Sequence, residues 1–129
     1  MTRRAVSTSA APKAVGPYSQ GIVAGGLVFC AGQVGLDPAT GQLVEGGVVA
    51  EAERALGNIR AVLKEAGCTF ADVVKTTVFL ADINDFQAVN EVYGLFMTDP
   101  PPARSTFAVG ELPRGARIEI EAIALRPDH

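Results

Sequence analysis

The chain has 129 residues, the usual size of one domain, and we expect a single domain over residues 1–129. Apolar residues make up 48% of it and charged residues 19%, a composition that favours an oligomer. The net charge is −3, and no apolar run approaches the ~18 residues of a membrane span. Composition therefore predicts neither a nucleic-acid partner nor a membrane partner.

Histidine and cysteine usage excludes several kinds of site. The only histidine is His129, the last residue, so Ser-His-Asp and Cys-His constellations and His-based zinc sites cannot be built within the ordered chain. Cys30 and Cys68 lack the C-x-x-C spacing of a redox motif or a zinc ribbon. No signal peptide accompanies them, which favours a reduced, cytoplasmic setting. We expect neither a metal nor a cofactor.

Residues 1–80 predict four strands and a helix. A short strand is expected at residues 5–8, and residues 19–33 predict two strands joined at Gly25-Gly26, which supplies the positive φ of a hairpin turn. Apolar residues at three- and four-residue spacing predict a helix over residues 48–66. The β-branched run over residues 73–80 predicts a strand that is buried on much of both faces.

The second half predicts another helix and two more strands. The helix starts near residues 82–85, whose aspartates can cap free N–H groups, and a triple proline at residues 100–102 forbids its continuation. Two strands follow around residues 104–109 and 117–126. About six strands and two helices in the order β-β-β-α-β-α-β-β predict an α+β two-layer sandwich. One face of its sheet packs on the helices, and the other is open to a partner subunit.

Polar residues interrupt the apolar pattern of the last strand. Glu119 and Glu121 share one face with Ile123 and Leu125, and the opposite face is apolar as well. A carboxylate in such a strand is either paired or functional. Three interpretations of these two glutamates stay open: a structural ion pair, a functional site and a solvated strand end.

Arg104 and Asn90 are two further polar candidates. Arg104 follows the prolines and opens an apolar strand, and its guanidinium suits bidentate recognition of a carboxylate. The alternative is a structural partner for Glu119 or Glu121. Asn90 lies within the apolar stripe of the second helix, where it is either a satisfied amide or part of a site.

Several short segments, in order, carry a family likeness over residues 5–126. They lie at residues 16–20, 32–33, 74–78, 84–86, 89–93, 102–104 and 118–122. On these segments the chain resembles the RidA/YjgF/UK-type family of reactive-imine deaminases. The resemblance implies a chorismate-mutase-like α+β fold and a homotrimer whose sites lie in clefts between subunits. It implies hydrolysis of 2-imino acids, such as 2-iminobutyrate and 2-iminopropanoate, to 2-keto acids and ammonia, which protects pyridoxal-phosphate enzymes from damage.

The resemblance also implies roles for individual residues. Arg104 resembles the arginine that grips the substrate carboxylate, and Glu119 resembles the carboxylate that positions the attacking water. Tyr18 and Asn90 match polar pocket residues, and Phe86 matches a wall of the pocket. We expect Tyr18 to help to hold the leaving nitrogen, as the third member of the catalytic set with Arg104 and Glu119.

Three more positions belong to the substrate-binding set that the resemblance implies. Gly32 matches the family, Ala31 stands where a serine is common, and Thr106 stands where a cysteine is common. The missing hydroxyl at Ala31 bears on substrate preference more than on reaction type. Because Glu119 and Glu121 share a strand face, either one can orient the water.

The chemistry of an imine suits this small set of groups. A protonated imine is already electrophilic, so an oriented water and a nearby carboxylate suffice for its hydrolysis. Two alternatives are an endoribonuclease or translation inhibitor and a non-catalytic trimer that binds small carboxylates. The acidic charge and the lack of an internal histidine argue against the nuclease.

Overall fold

The computed structural model describes residues 2–127; His129 lies outside them. Within this range the elements are β1 (Arg3–Val6), β2 (Gly21–Ala24), β3 (Leu27–Gln33), α1 (Gly47–Glu65), β4 (Val73–Leu80), α2 (Phe86–Phe96), β5 (Ala103–Ala108) and β6 (Ile118–Leu125). The predicted element order and the α+β class are confirmed. Short 3₁₀ turns at Phe70–Asp72, Ile83–Asp85 and Pro113–Gly115 complete the chain.

Three local predictions differ from the structure. The first strand covers Arg3–Val6 rather than residues 5–8. Asp82 caps a separate 3₁₀ turn, since its carboxylate accepts the N–H of Asn84 at 2.9 Å. Helix α2 itself starts at Phe86, and Asp85 before it makes no side-chain capping hydrogen bond. The prediction that β4 is buried on much of both faces is wrong. Lys75 is exposed and Val74 is 47% exposed, because the helices cover one face of the sheet only.

The six strands form one sheet in the order β1-β2-β3-β6-β4-β5. Strands β4 and β5 are parallel, and the other neighbours are antiparallel. Helix α2 makes the crossover between the parallel strands, as such a connection requires. The hairpin turn is at the predicted dipeptide, because Gly25 and Gly26 both have positive φ, 59° and 82°.

The two faces of the sheet differ in what covers them. Alternate residues of β6, from Ile118 to Ala124, are buried in one core with α1 and α2. Each large side chain of this kind contributes roughly 1.5–3 kcal/mol to folding. The other face, which we call the open face, exposes Phe29, Phe107 and Leu125 by 41%, 45% and 52%. No helix within residues 2–127 is long and apolar enough to cross a membrane.

Candidate functional site

The guanidinium of Arg104 lies against two aromatic rings on the helix-covered face. Its central carbon is 4.7 Å from the centre of the Tyr93 ring and 5.6 Å from that of Phe86, within cation–π range. Both rings belong to α2, and Asn90 lies on the same helical stripe between them. The rings neutralise none of the positive charge, so the N–H donors of Arg104 stay available to an anion.

Thr106 lies two residues beyond Arg104 on β5 and therefore on the same face. Its hydroxyl oxygen is buried and has no hydrogen-bond partner among residues 2–127. Such groups in proteins are uncommon and call for an explanation, of which an interacting ligand is one. We call Phe86, Asn90, Arg104 and Thr106 the arginine half-site.

Arg104 has no carboxylate partner in the described part of the chain. The ion pair found within residues 2–127 joins Arg117 to Asp85, at 3.2 Å. Within one chain, the interpretation of Arg104 as a structural partner of Glu119 or Glu121 is therefore wrong. Neither glutamate forms an ion pair with another residue of the range 2–127.

The strand register explains why Arg104 and Glu119 do not meet. Arg104 is opposite Thr76 of β4, whereas Glu119 is opposite Phe79 of the same strand. Positions three residues apart on a strand point to opposite faces. Glu119 therefore lies on the open face, and β4 separates its strand from that of Arg104 by about 10 Å in all.

The carboxylate of Glu119 packs directly over Gly32. A Cβ atom at position 32 would overlap Oε2 of Glu119 and would be 2.8 Å from its Cδ. The register of β3 against β6 shifts between Cys30 and Gln33, and this irregularity contains Gly32. Only glycine allows so close an approach of a side chain to the backbone.

The surroundings of Glu119 disfavour its negative charge. Burial raises the pKa of the Glu119 carboxyl above its ordinary value, and the negative charge of Glu121 raises it further. Glu121 itself is exposed. A half-buried carboxyl with a raised pKa is suited to accept and return a proton.

Tyr18 approaches the same region from the loop before β2. It lines a cavity of about 170 Å³ together with Gly32, and its phenol is largely exposed. The backbone N–H of Ala31 donates to the carbonyl oxygen of Gln20 at 2.9 Å, which joins β3 to this loop. We call Tyr18, Ala31, Gly32 and Glu119 the glutamate half-site.

The side chain of Gln20 fixes the loop in place. It is 95% buried, its amide nitrogen donates to the carbonyl oxygens of Thr8 and Pro12 at 3.0 and 2.8 Å, and its oxygen accepts the N–H of Thr8 at 2.7 Å. The loop that carries Tyr18 is thus tied to the N-terminal segment.

The structure adds residues that the sequence analysis did not single out. The hydroxyl groups of Tyr93 and Thr76 share a buried hydrogen bond of 2.7 Å, and the buried carboxylate of Glu51 accepts the N–H of Arg117 at 2.8 Å, just before β6. One signal was present for Tyr93, because a tyrosine in an apolar stripe needs a partner for its hydroxyl.

The structure thus divides the eight predicted site residues into two groups on opposite faces of one sheet. The first group offers a cation for a carboxylate, and the second offers a carboxyl that can move a proton. Within residues 2–127, no three or more His, Cys, Asp or Glu residues are grouped closely enough to hold a metal ion. No contact within residues 2–127 brings the two groups together.

Comparison with known proteins gives the chain its relatives. It is 55% identical over 126 residues to the 2-iminobutanoate/2-iminopropanoate deaminase of Capra hircus and 52% identical to that of Homo sapiens, covering 98% of this chain and 92% of each relative. The crystal structure of Escherichia coli TdcF with bound serine is similar, with a TM-score of 0.90, 41% identity and coverage of 95% and 98% of the two chains. The Endoribonuclease L-PSP family model matches residues 8–126. The chain belongs to this family, the RidA/YjgF family.

Proposed function

We propose that the protein is an enzyme that hydrolyses 2-imino acids, such as 2-iminobutyrate and 2-iminopropanoate, to 2-keto acids and ammonia. The names of its mammalian relatives support this reaction. The structural observation that carries it is the Arg104 guanidinium, which rests on aromatic rings and has no carboxylate partner among residues 2–127. Such a group is suited to the carboxylate of a small acid.

The reaction divides between the two half-sites. Arg104 binds the carboxylate of the imino acid through two parallel hydrogen bonds. Glu119 accepts a proton from a water molecule as the water oxygen bonds to the carbon of the protonated imine. The amino group of the resulting tetrahedral adduct takes up that proton from Glu119, and the C–N bond breaks to release ammonia. The ammonia then receives the hydroxyl proton, through Glu119, as the ketone forms. One water is consumed, and a 2-keto acid and an ammonium ion are released.

Glu119, rather than Glu121, is the residue that we assign to the water. Its carboxyl is half-buried over Gly32 and has a raised pKa, whereas Glu121 is exposed. Tyr18 borders the cavity that Gly32 lines and holds the leaving nitrogen in this scheme. Ala31 and Thr106 border the substrate and bear on which imine is preferred.

We also propose that the complete site forms between two subunits of a homotrimer. Arg104 and Glu119 are on opposite faces of the sheet, so a small substrate needs the arginine half-site of one copy and the glutamate half-site of another. The open face, with Phe29 and Phe107, supplies apolar surface for such contacts. Because imines are short-lived in water, the enzyme works where they are released, in the cytoplasm, and so protects pyridoxal-phosphate enzymes.

A coupled assay tests the proposed reaction. A threonine dehydratase generates 2-iminobutyrate, semicarbazide traps the imine that escapes, and trapping is measured with and without the protein. We expect the wild type to suppress trapping and R104A to lose about 10²- to 10³-fold of this activity.

Arg60 provides a matched control, since its guanidinium also lies over an aromatic ring, that of Phe96, at 5.1 Å. R60A should keep the wild-type rate. Full activity of R104A would contradict the assignment, and keto-acid binding without imine turnover would instead indicate the non-catalytic carboxylate-binding trimer. RNA cleavage that is lost in R104A and E119A would indicate the nuclease.

A further inference from the structure

The Arg104 guanidinium lies over the ring of a buried side chain that has no role in the proposed reaction. Of the two rings beneath it, that of Tyr93 is the nearer, at 4.7 Å from the guanidinium carbon. Tyr93 is 6% exposed, whereas Phe86 is 37% exposed. The buried ring is the fixed part of this contact.

A hydrogen bond fixes the Tyr93 ring to the sheet. Its hydroxyl is 2.7 Å from that of Thr76, and Thr76 is 1% exposed. Buried groups of this kind are costly to separate, because neither finds water as a replacement partner.

The same threonine lies beside Arg104. Thr76 on β4 and Arg104 on β5 are register partners in the parallel pair of strands. Three contacts therefore link these residues: Arg104 lies over the ring of Tyr93 on α2, Tyr93 is hydrogen-bonded to Thr76, and Thr76 is the register partner of Arg104. Together they restrict both the position and the orientation of the guanidinium.

From this geometry we infer that Tyr93, held by Thr76, is a positioning residue for Arg104. This inference rests on the proposed function. Tyr93 keeps the planar donor fork of Arg104 in the orientation that receives the carboxylate of the substrate, which a rigid pocket achieves at a lower entropic cost than a freely rotating arginine.

The test compares Tyr93 with Phe96, which lies one turn further along α2 and carries its own stacked arginine, Arg60. In the full chain, the affinity for 2-ketobutyrate and the kcat and KM for 2-iminobutyrate are measured for Y93L, Y93F and F96L. We expect Y93L to raise both Kd and KM roughly 3- to 30-fold with a smaller change in kcat. Y93F keeps the ring and should recover most of the affinity, and F96L should bind like the wild type.

Two results would overturn the inference: Y93L that binds 2-ketobutyrate like the wild type, or F96L that loses affinity to the same extent. If Y93L does not assemble natively, T76V tests the inference instead. We expect T76V to raise the Kd for 2-ketobutyrate roughly 2- to 5-fold, and an unchanged Kd would overturn the inference.

Arg104-dependent binding of 2-ketobutyrate without imine turnover would overturn the proposed reaction alone. Absence of such binding in the wild type would overturn both proposals.

Discussion

The arginine half-site and the glutamate half-site hold opposite charges by opposite means. Arg104 lies over the faces of two rings, a contact that fixes a cation while its hydrogen-bond donors stay available. Glu119 lies over a bare glycine backbone, where burial and a second carboxylate raise its pKa. The first environment tolerates the charge, and the second makes the charge easy to neutralise. A residue that binds and a residue that moves protons therefore need different surroundings, and the two faces of one sheet provide them.

The largest expected effect comes from inactivating each half-site by substitution and then combining the two variants in one oligomer. R104A and E119A should each lose about 10²- to 10³-fold of imine hydrolysis. Mixed oligomers are coexpressed with two tags and purified on both. If they are the proposed cyclic trimers, about one interface in three unites an intact Arg104 with an intact Glu119. We expect these trimers to recover about one third of the wild-type activity, measured by semicarbazide trapping.

The control for this experiment is a mixed trimer of R104A with the R104A/E119A double variant. It contains no Arg104 at any interface and should stay inactive. Mixed trimers of the two single variants that are no more active than their parents would contradict a site shared between subunits.

A smaller loss is expected from G32A, which probes the glutamate half-site alone. The added methyl would overlap the carboxylate of Glu119, so the carboxylate must move by an ångström or so, a displacement that can cost about 10²-fold in rate. Affinity for 2-ketobutyrate, which depends on Arg104, should change little. The rate of imine hydrolysis is measured by kinetics and the affinity for 2-ketobutyrate by calorimetry, both on the same preparation.

Gly110 offers a matched control for that substitution. A Cβ atom at Gly110 meets no other atom within 4 Å, and G110A should therefore leave both rate and affinity unchanged. If G32A kept the wild-type rate, the close contact between Gly32 and Glu119 would have no role in the reaction.

The sequence predicts the elements well because their signals are local. Apolar spacing is sufficient to find α1, and the Gly25-Gly26 turn follows from the positive φ that only a few residues tolerate. Period-two alternation also predicts that Glu119 shares one face of the last strand with Glu121. The burial of β4 was overestimated because its β-branched residues look the same whether or not a second layer covers them.

The arrangement of the site could not be predicted in the same way. The ion pair between Arg104 and Glu119 was a reasonable alternative from their charges. However, the crossover through α2 places β5 outside β4, and the strand register puts the two residues on opposite faces. The contact of Tyr93 with Thr76 joins residues 17 positions apart. Such pairings depend on strand order and register, which no local pattern encodes.

The smallest expected effect concerns the second carboxylate, and its sign follows from the pKa of Glu119. The ionised form of Glu119 accepts the proton, so kcat/KM falls as the pH falls through that pKa, which is above the ordinary value for a glutamate. Removing the neighbouring negative charge with E121Q lowers the pKa of Glu119, and activity then persists to lower pH. The shift is small, because Glu121 is exposed and its charge is screened by salt. Burial, the larger cause, is unaffected, so the pKa of Glu119 stays raised even in E121Q.

The shift is measured in the acid limb of kcat/KM and by an NMR titration of the Glu119 carboxyl. The control is E111Q, because Glu111 is an exposed glutamate outside the strands. If the acid limb of E121Q stays in place or moves to higher pH, Glu119 is not electrostatically coupled to Glu121. Burial would then be the sole cause of the raised pKa of Glu119.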